Sequence, residues 1–227
     1  MTKNSMIKTP IQVKNILFDL DGTLADPFQA FKESLNYAFK TLNLPLASDE
    51  MVRVCIGPPL HKSLVEVMGF KESDVPEVMR IYRDHHRQSF LDLYKFYNGI
   101  ETVLKAFSSS AHLFLATSKP ISFAAPLIEK HHLSSFFKAL HGSELDGTRS
   151  DKSELIAYIC QTHQLQAHET VMIGDRKYDI IGAKNNHLLA GGVLWGFGDR
   201  NELEQAGADF LAETPADLNH LLFVQGH

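Results

Sequence analysis

The chain has 227 residues, 44% of them hydrophobic, enough for one large domain or a core domain carrying an insertion. Twenty-two Lys and Arg against 27 Asp and Glu give a net charge of −5, and no basic stripe interleaved with aromatics is present, which argues against nucleic acid as a partner. No window approaches the ~20 apolar residues that span a bilayer, residues 1–15 lack a secretory signal, and Cys55 and Cys160 have no metal or redox spacing, so a cytoplasmic protein with two buried thiols is expected.

The first apolar run, Asn15–Phe18, predicts a strand that stops at Asp19-Leu20-Asp21-Gly22-Thr23, where two carboxylates one residue apart meet a glycine turn. Residues i and i+2 leaving a strand diverge once Gly22 bends the path, so one carboxylate can be a nucleophile and the other an acid/base. From Asp26 to about Lys95 the pattern is helical only. Asp26 reads as N-cap and Pro27 as the first helical position, with Phe28, Phe31, Leu35, Phe39 and Leu42 at helical spacing. Pro45, Gly57-Pro58-Pro59, Gly69 and Pro76 divide this segment into about four helices. Asn98-Gly99 marks the return to alternation, and His112–Ala116, Thr170–Ile173, Gly192–Trp195 and Asp209–Leu211 predict further strands separated by helices. Leu113-Phe114-Leu115-Ala116 and Val171-Met172-Ile173 hardly alternate, as in strands buried on both faces. The expected fold is α/β: a doubly wound, Rossmann-like parallel-sheet core from residues 1–26 and 96–227, with an all-helical domain inserted at 27–95, compact to within a few residues of both ends.

Ligands of an open α/β sheet bind outside the carboxyl ends of its strands. There this sequence places Asp19 and Asp21, then Thr117 and Ser118, then Gly174 and Asp175 with Asp179 a helical turn later, while Lys152 opens another helix. Four carboxylates converging on one spot cannot all ionise against one lysine, so a divalent cation is implied. An all-oxygen donor set without nearby His or Cys favours magnesium. The bland readings are solvated turn carboxylates at Asp19 and Asp21, helix caps at Asp175 and Thr117 (the latter for the helix after Pro120), and a surface lysine at Lys152. Among twelve histidines the pairs His85-His86 and His131-His132 are adjacent on helices and point apart, which speaks against paired action. Arg53, His61 and Lys62 flank the Gly57-Pro58-Pro59 turn, where they can either recognise the non-phosphate end of a substrate or form solvated helix faces. Trp195 is expected to pack at a strand end.

The ordered set Asp19-x-Asp21-Gly22-Thr23, Thr117, Lys152 and Gly174-Asp175-x-x-x-Asp179, with a helical insertion after the first motif, resembles the haloacid-dehalogenase-like superfamily over essentially the whole chain. Ile56-Gly57-Pro58-Pro59-Leu60, the segment from Gly174 to Ile180, and Gly192-Val193-Leu194-Trp195-Gly196 are similar to its phosphoglycolate-phosphatase-like branch, which includes nucleotidases. The resemblance implies a helical cap closing over the core and magnesium-dependent hydrolysis of a small phosphorylated metabolite. Asp19 would attack phosphorus to give an aspartyl-phosphate. Asp21 would protonate the leaving alkoxide and activate water, its side chain off the metal and its backbone carbonyl on it. Thr117 and the backbone around Leu20 and Ser118 would hold the phosphoryl oxygens, with Lys152 neutralising charge. Asp175 would complete the magnesium site, and Asp179 would fix Lys152 or a metal-bound water from behind. Phe96-Tyr97-Asn98-Gly99 and the serine after Lys152 depart from a proline that relatives carry, without touching a reactive atom. A phosphomutase or a non-catalytic binding protein on the same fold are the competing expectations; Asp21 speaks against dehalogenation, because halide leaves without a proton. Substrate identity and oligomeric state stay open.

Overall fold

A computed structural model describes residues 11–224. The signal-free reading of residues 1–15 lies partly outside that range, as does the expected compactness at the extreme ends. In chain order the first part comprises β1 (Ile11–Val13), β2 (Asn15–Phe18), β3 (Ala25–Asp26), α1 (Phe28–Thr41), α2 (Asp49–Val54), α3 (Leu60–Glu66), α4 (Val75–Leu93) and β4 (Lys95–Phe96). There follow α5 (Ile100–Ser108), β5 (His112–Pro120), α6 (Ile121–Lys130), β6 (Phe137–Ser143), α7 (Lys152–His163), β7 (Thr170–Gly174) and α8 (Lys177–Asn185). The chain continues through β8 (Leu189–Val193), α9 (Arg200–Gln205), β9 (Phe210–Ala212), α10 (Leu218–Leu221) and β10 (Leu222–Val224).

Six strands form a parallel sheet in the order β6-β5-β2-β7-β8-β9, so the chain winds outward from β2 in both directions. Parallel neighbours need crossovers, and these cover both faces. Ile16, Phe18, Leu113 and Ile173 pack with Leu104 of α5, Leu127 of α6 and Leu218 of α10. The intervening Leu17, Phe114 and Met172 pack with Ile156 of α7, Ile180 of α8 and Leu203 of α9. Successive strand residues face opposite sides, so a sheet covered twice needs consecutive apolar side chains through the middle of each central strand, as Ile16–Phe18, Leu113–Ala116 and Val171–Ile173 supply. Each such fully buried Leu, Ile or Phe contributes about 1.5–3 kcal/mol.

The edges depart from the sequence reading for local reasons. Strand β6 went unread because Phe137-Lys138-Ala139-Leu140-His141-Gly142-Ser143 mixes polar and apolar residues, as an edge strand paired only with β5 allows. Strand β8 runs earlier than expected, and its Gly191 is required by close packing: a Cβ there would lie 2.3 Å from the Phe210 ring. Trp195 therefore follows the strand, and its indole Nε1 donates to the Thr23 carbonyl at 2.9 Å. Cys55 is buried, but Cys160 is only half-buried.

Helices α1 to α4 lie between β3 and β4, which pair antiparallel through Ala25–Phe96 and Asp26–Lys95. Helix α1 starts one residue later than expected, at Phe28, whose N–H donates to Asp26 Oδ1 at 2.9 Å. Pro76 sits in the first turn of α4 and does not divide helices, since proline is tolerated where no intrahelical N–H is needed. Phe31, Leu35 and Phe39 of α1 meet Val52, Leu64 and Ile81 in a hydrophobic cluster of the helices themselves.

Candidate active site

Phe18 of β2 lies opposite Leu115 of β5 and Ile173 of β7, so the next residues of all three strands emerge together at one end of the sheet. Asp19 is held there by its N–H, which donates to the Ile173 carbonyl at 2.9 Å. Lys152, the first residue of α7, is 5% exposed and inserts between the strands. Its Nζ donates to Asp19 Oδ1 at 2.9 Å and to the Ala116 carbonyl at 2.8 Å, and it ion-pairs with Asp179 Oδ1 at 2.8 Å. Lys152 is therefore no surface lysine; its ammonium sits between two buried carboxylates, which hold its pKa above the usual lysine value despite burial.

Asp175 is fully buried behind the first motif. Its Oδ2 accepts the Phe197 N–H at 2.8 Å and its Oδ1 accepts the Thr23 hydroxyl at 3.3 Å. Gly22 has φ +90°, and a Cβ there would stand 2.1 Å from Asp175 Oδ2, so only glycine permits both this turn and this approach. Asp175 does not cap α8; Asp179 Oδ2 accepts the Arg176 N–H at 3.2 Å there. Thr117 does not cap α6 either: its Oγ1 accepts the Lys119 N–H at 3.2 Å, closing a turn at the irregular end of β5.

Carboxylate oxygens of Asp19, Asp175 and Asp179 lie within 4.8 Å of one another, all in buried residues. Burial first, then the charges of Asp179 and Asp19, hold the Asp175 carboxyl well above the usual range. Asp179 is also raised, by burial against the opposing pull of Lys152. One ammonium thus fails to compensate three carboxylates. An all-oxygen, buried, under-compensated cluster fits a small hard dication, with Asp19 and Asp175 offering oxygens to it.

Asp21 turns away from this cluster, as diverging i and i+2 positions require. Its Oδ2 accepts from Lys119 Nζ at 2.9 Å, its Oδ1 is buried without a partner, and Lys119 Nζ also donates to the Tyr94 hydroxyl. Desolvation raises the Asp21 carboxyl above its ordinary value although Lys119 opposes it. Sequence reasoning counted one lysine here; Lys119 is a second, foreshadowed by its place two residues after Thr117. Tyr94 carried no sequence signal.

A cleft opens above these groups between the sheet end and the helices. Its floor includes Asp19, Asp21, Thr117, Ser118 and Lys119. Phe31, Tyr82, His86 and Phe123, with the thioether of Met79, form a largely aromatic wall, and His61 and Arg83 also line the cleft. Arg53 instead lays its guanidinium 4.6 Å from the centroid of the Phe28 ring, and Lys62 is exposed; neither lines the cleft. His85 and His86 do not point wholly apart: their Nδ1 atoms lie 3.3 and 3.0 Å from the same Ser34 hydroxyl. Arg176 spans to the helical segment, its guanidinium donating to the Ile56 carbonyl and, at 2.9 Å, to Glu202 Oε1.

Residues 16–192 match the family model described as haloacid dehalogenase-like hydrolase. A 5'-nucleotidase of Pseudomonas aeruginosa is 38% identical over 194 residues, covering 85% of this chain and 88% of the relative. A phosphoglycolate phosphatase of Vibrio parahaemolyticus is 27% identical over 225 residues, covering 95% and 99%. The crystal structure of a predicted phosphatase from Clostridium acetobutylicum superimposes with a TM-score of 0.86 at 34% identity, covering 92% of this chain and 97% of that one. Among the described residues, no helix is long and apolar enough to cross a membrane.

Proposed function

This chain belongs to the haloacid dehalogenase-like hydrolases and is a phosphoric monoester hydrolase, and from that premise we propose that it hydrolyses a small phosphate monoester, a nucleoside monophosphate or phosphoglycolate, through an aspartyl-phosphate on Asp19. The observation that carries this reading is the unequal treatment of two neighbouring carboxylates: Asp19 faces Lys152 and the carboxylate cluster, Asp21 faces Lys119 and carries a raised pKa. Environments that differ in this way suit a nucleophile beside an acid/base.

Asp19 attacks phosphorus, and its charge is steadied by Lys152, which Asp179 holds in place. Asp21 gives its proton to the leaving alkoxide and then takes one from the water that cleaves the aspartyl-phosphate. Thr117 and the backbone at Leu20 and Ser118 hold the phosphoryl oxygens. Magnesium held by Asp19, Asp175 and the Asp21 carbonyl would neutralise the cluster and stabilise charge on the phosphoryl group. Residues 27–95 act as a cap domain over a core of residues 1–26 and 96–227. Support comes from the hydrophobic cluster within the helices, the two-strand base at β3 and β4, and the Arg176 tie to Ile56. Cap closure excludes bulk water and places the leaving group.

The test is phosphate release from nucleoside monophosphates, phosphoglycolate, sugar phosphates and p-nitrophenyl phosphate, with magnesium or chelator, beside Asp19→Asn. Magnesium-dependent release abolished by the substitution is expected. Sugar-phosphate isomerisation without phosphate release would replace the reading with a mutase, and full activity in Asp19→Asn would end it.

A further inference from the structure

His86 is 1% exposed yet lines the cleft. It stacks between the rings of Tyr82, 5.1 Å away at 15°, and Phe90, 4.8 Å away at 18°. The edges of Tyr94 and Phe123 close on it from the side, with centroids 6.3 and 5.4 Å away. Four aromatic contacts leave the imidazole little freedom. Its Nδ1 lies 3.0 Å from the Ser34 hydroxyl, whereas its Nε2 is buried and has no partner. Burial and the Lys119 charge, against the pull of the Ala30 carbonyl, push its pKa down to about 2, so the ring is neutral. A buried polar atom held this rigidly and left unpaired is uncommon, because desolvation without a hydrogen bond is costly.

We propose that His86 is a specificity-determining residue whose Nε2 hydrogen-bonds a hydroxyl of the leaving group, selecting phosphate monoesters of uncharged, hydroxyl-bearing alcohols of the nucleoside type over phosphoglycolate. This rests on the phosphatase reading above. A hydroxyl is the fitting partner because Ser34 can donate to Nδ1 or accept from it, which leaves Nε2 a donor or an acceptor, and a hydroxyl serves both. The same wall supplies Phe31, Tyr82 and Phe123, against which a flat group can lie. The carboxylate of phosphoglycolate is the poorer match, because entering an aromatic wall strips a full negative charge of water and a neutral ring returns at most one hydrogen bond. Lys119 is already committed to Asp21 and Tyr94, which leaves Arg83 as the cleft cation that a competing, carboxylate-selective reading would use.

The experiment is steady-state kinetics on adenosine 5'-monophosphate, its 2',3'-dideoxy counterpart, phosphoglycolate and p-nitrophenyl phosphate. It compares the intact protein with His86→Phe, which keeps the stacking but not the nitrogen, and His86→Gln, which restores a polar atom near Nε2. The intact protein should prefer the hydroxylated nucleotide over the dideoxy compound by about 10- to 100-fold in kcat/KM. His86→Phe should erase that ratio, and His86→Gln should recover a good part of it. No preference in the intact protein, a ratio unchanged by His86→Phe, or phosphoglycolate as the best substrate with dependence on Arg83 would each overturn the proposal. The ratio in the intact protein needs no variant to fold. Magnesium-dependent, Asp19-dependent turnover of p-nitrophenyl phosphate tests the phosphatase reading separately.

Discussion

Asp175→Asn should make the metal-free protein more stable while destroying its activity. Two carboxylate charges within 4.8 Å of each other repel by about 3.5 kcal/mol or more at an effective dielectric near 20. Burial first, then these charges, raise the pKa of the Asp175 carboxyl, and because screening and relaxation blunt the repulsion, the net gain on removing the charge is about 1–3 kcal/mol. At roughly 2–4 °C per kcal/mol for a chain of this size, the melting temperature in chelator should rise by about 2–12 °C. The substitution is otherwise mild: the asparagine Oδ1 can still accept the Phe197 N–H, and the Thr23 hydroxyl can reverse to accept from Nδ2. Thermal melts in EDTA and in magnesium, paired with phosphate release, read all three consequences. The native protein should gain stability on adding magnesium; the variant should start higher, gain little and release phosphate at least ~100-fold more slowly. A variant that melts below the native protein in EDTA, or that keeps the full magnesium shift, would refute the idea that carboxylate repulsion awaiting a cation shapes this site.

Asp179, pushed up to about 6 from an unfolded value near 3.8, makes the metal-free protein hold a proton that the unfolded chain has lost. That contribution is complete below the unfolded value and vanishes as pH rises through about 6, so the magnesium-induced shift in melting temperature should grow between pH 5 and pH 7, and a shift that stays constant would contradict the assignment. Lys152→Met should cost about 3–5 kcal/mol in urea unfolding at neutral pH, by leaving Asp19 and Asp179 buried without a cation, together with loss of phosphate release; a loss under ~1 kcal/mol would show that those carboxylates simply take up protons. Gly22→Ala should abolish magnesium binding in a calorimetric titration, because its Cβ would displace Asp175, and tight binding by this variant would mean that Asp175 does not hold the metal.

The central sheet could be read from the sequence because burial on both faces removes the ambiguity of alternation. Ile16-Leu17-Phe18 and Val171-Met172-Ile173 serve two cores at once, and only an unbroken apolar run does that. Strand β6 serves one neighbour and exposes Lys138, so its sequence is free to resemble a loop. The expected strand began only at Gly192, whereas β8 runs from Leu189 to Val193; the Phe210 and Leu211 side chains packed over Gly191 and Gly192 supply the missing volume from another element. Chain-local patterns cannot report a glycine whose partner lies twenty residues away.

The same distinction separates the site residues that were visible from those that were not. Asp19 and Asp21 follow β2 and Asp175 follows β7, with Asp179 in the first turn of α8, and strand ends in a parallel sheet converge by topology, so their sequence positions already imply their meeting. Lys119, His86 and Tyr94 reach the site from the end of β5, from α4 and from the residue that follows α4, where position along the chain fixes the direction of approach only after the helices have packed against the sheet. The chemistry of phosphoryl transfer is thus written in the strand ends, whereas the choice of leaving group rests on side chains whose neighbours come from elements distant in sequence: His86 of α4 between Ser34 of α1 and Phe123 of α6. Relatives can keep the first set and still differ in the second, which is how a 5'-nucleotidase and a phosphoglycolate phosphatase can both align with this chain over most of its length.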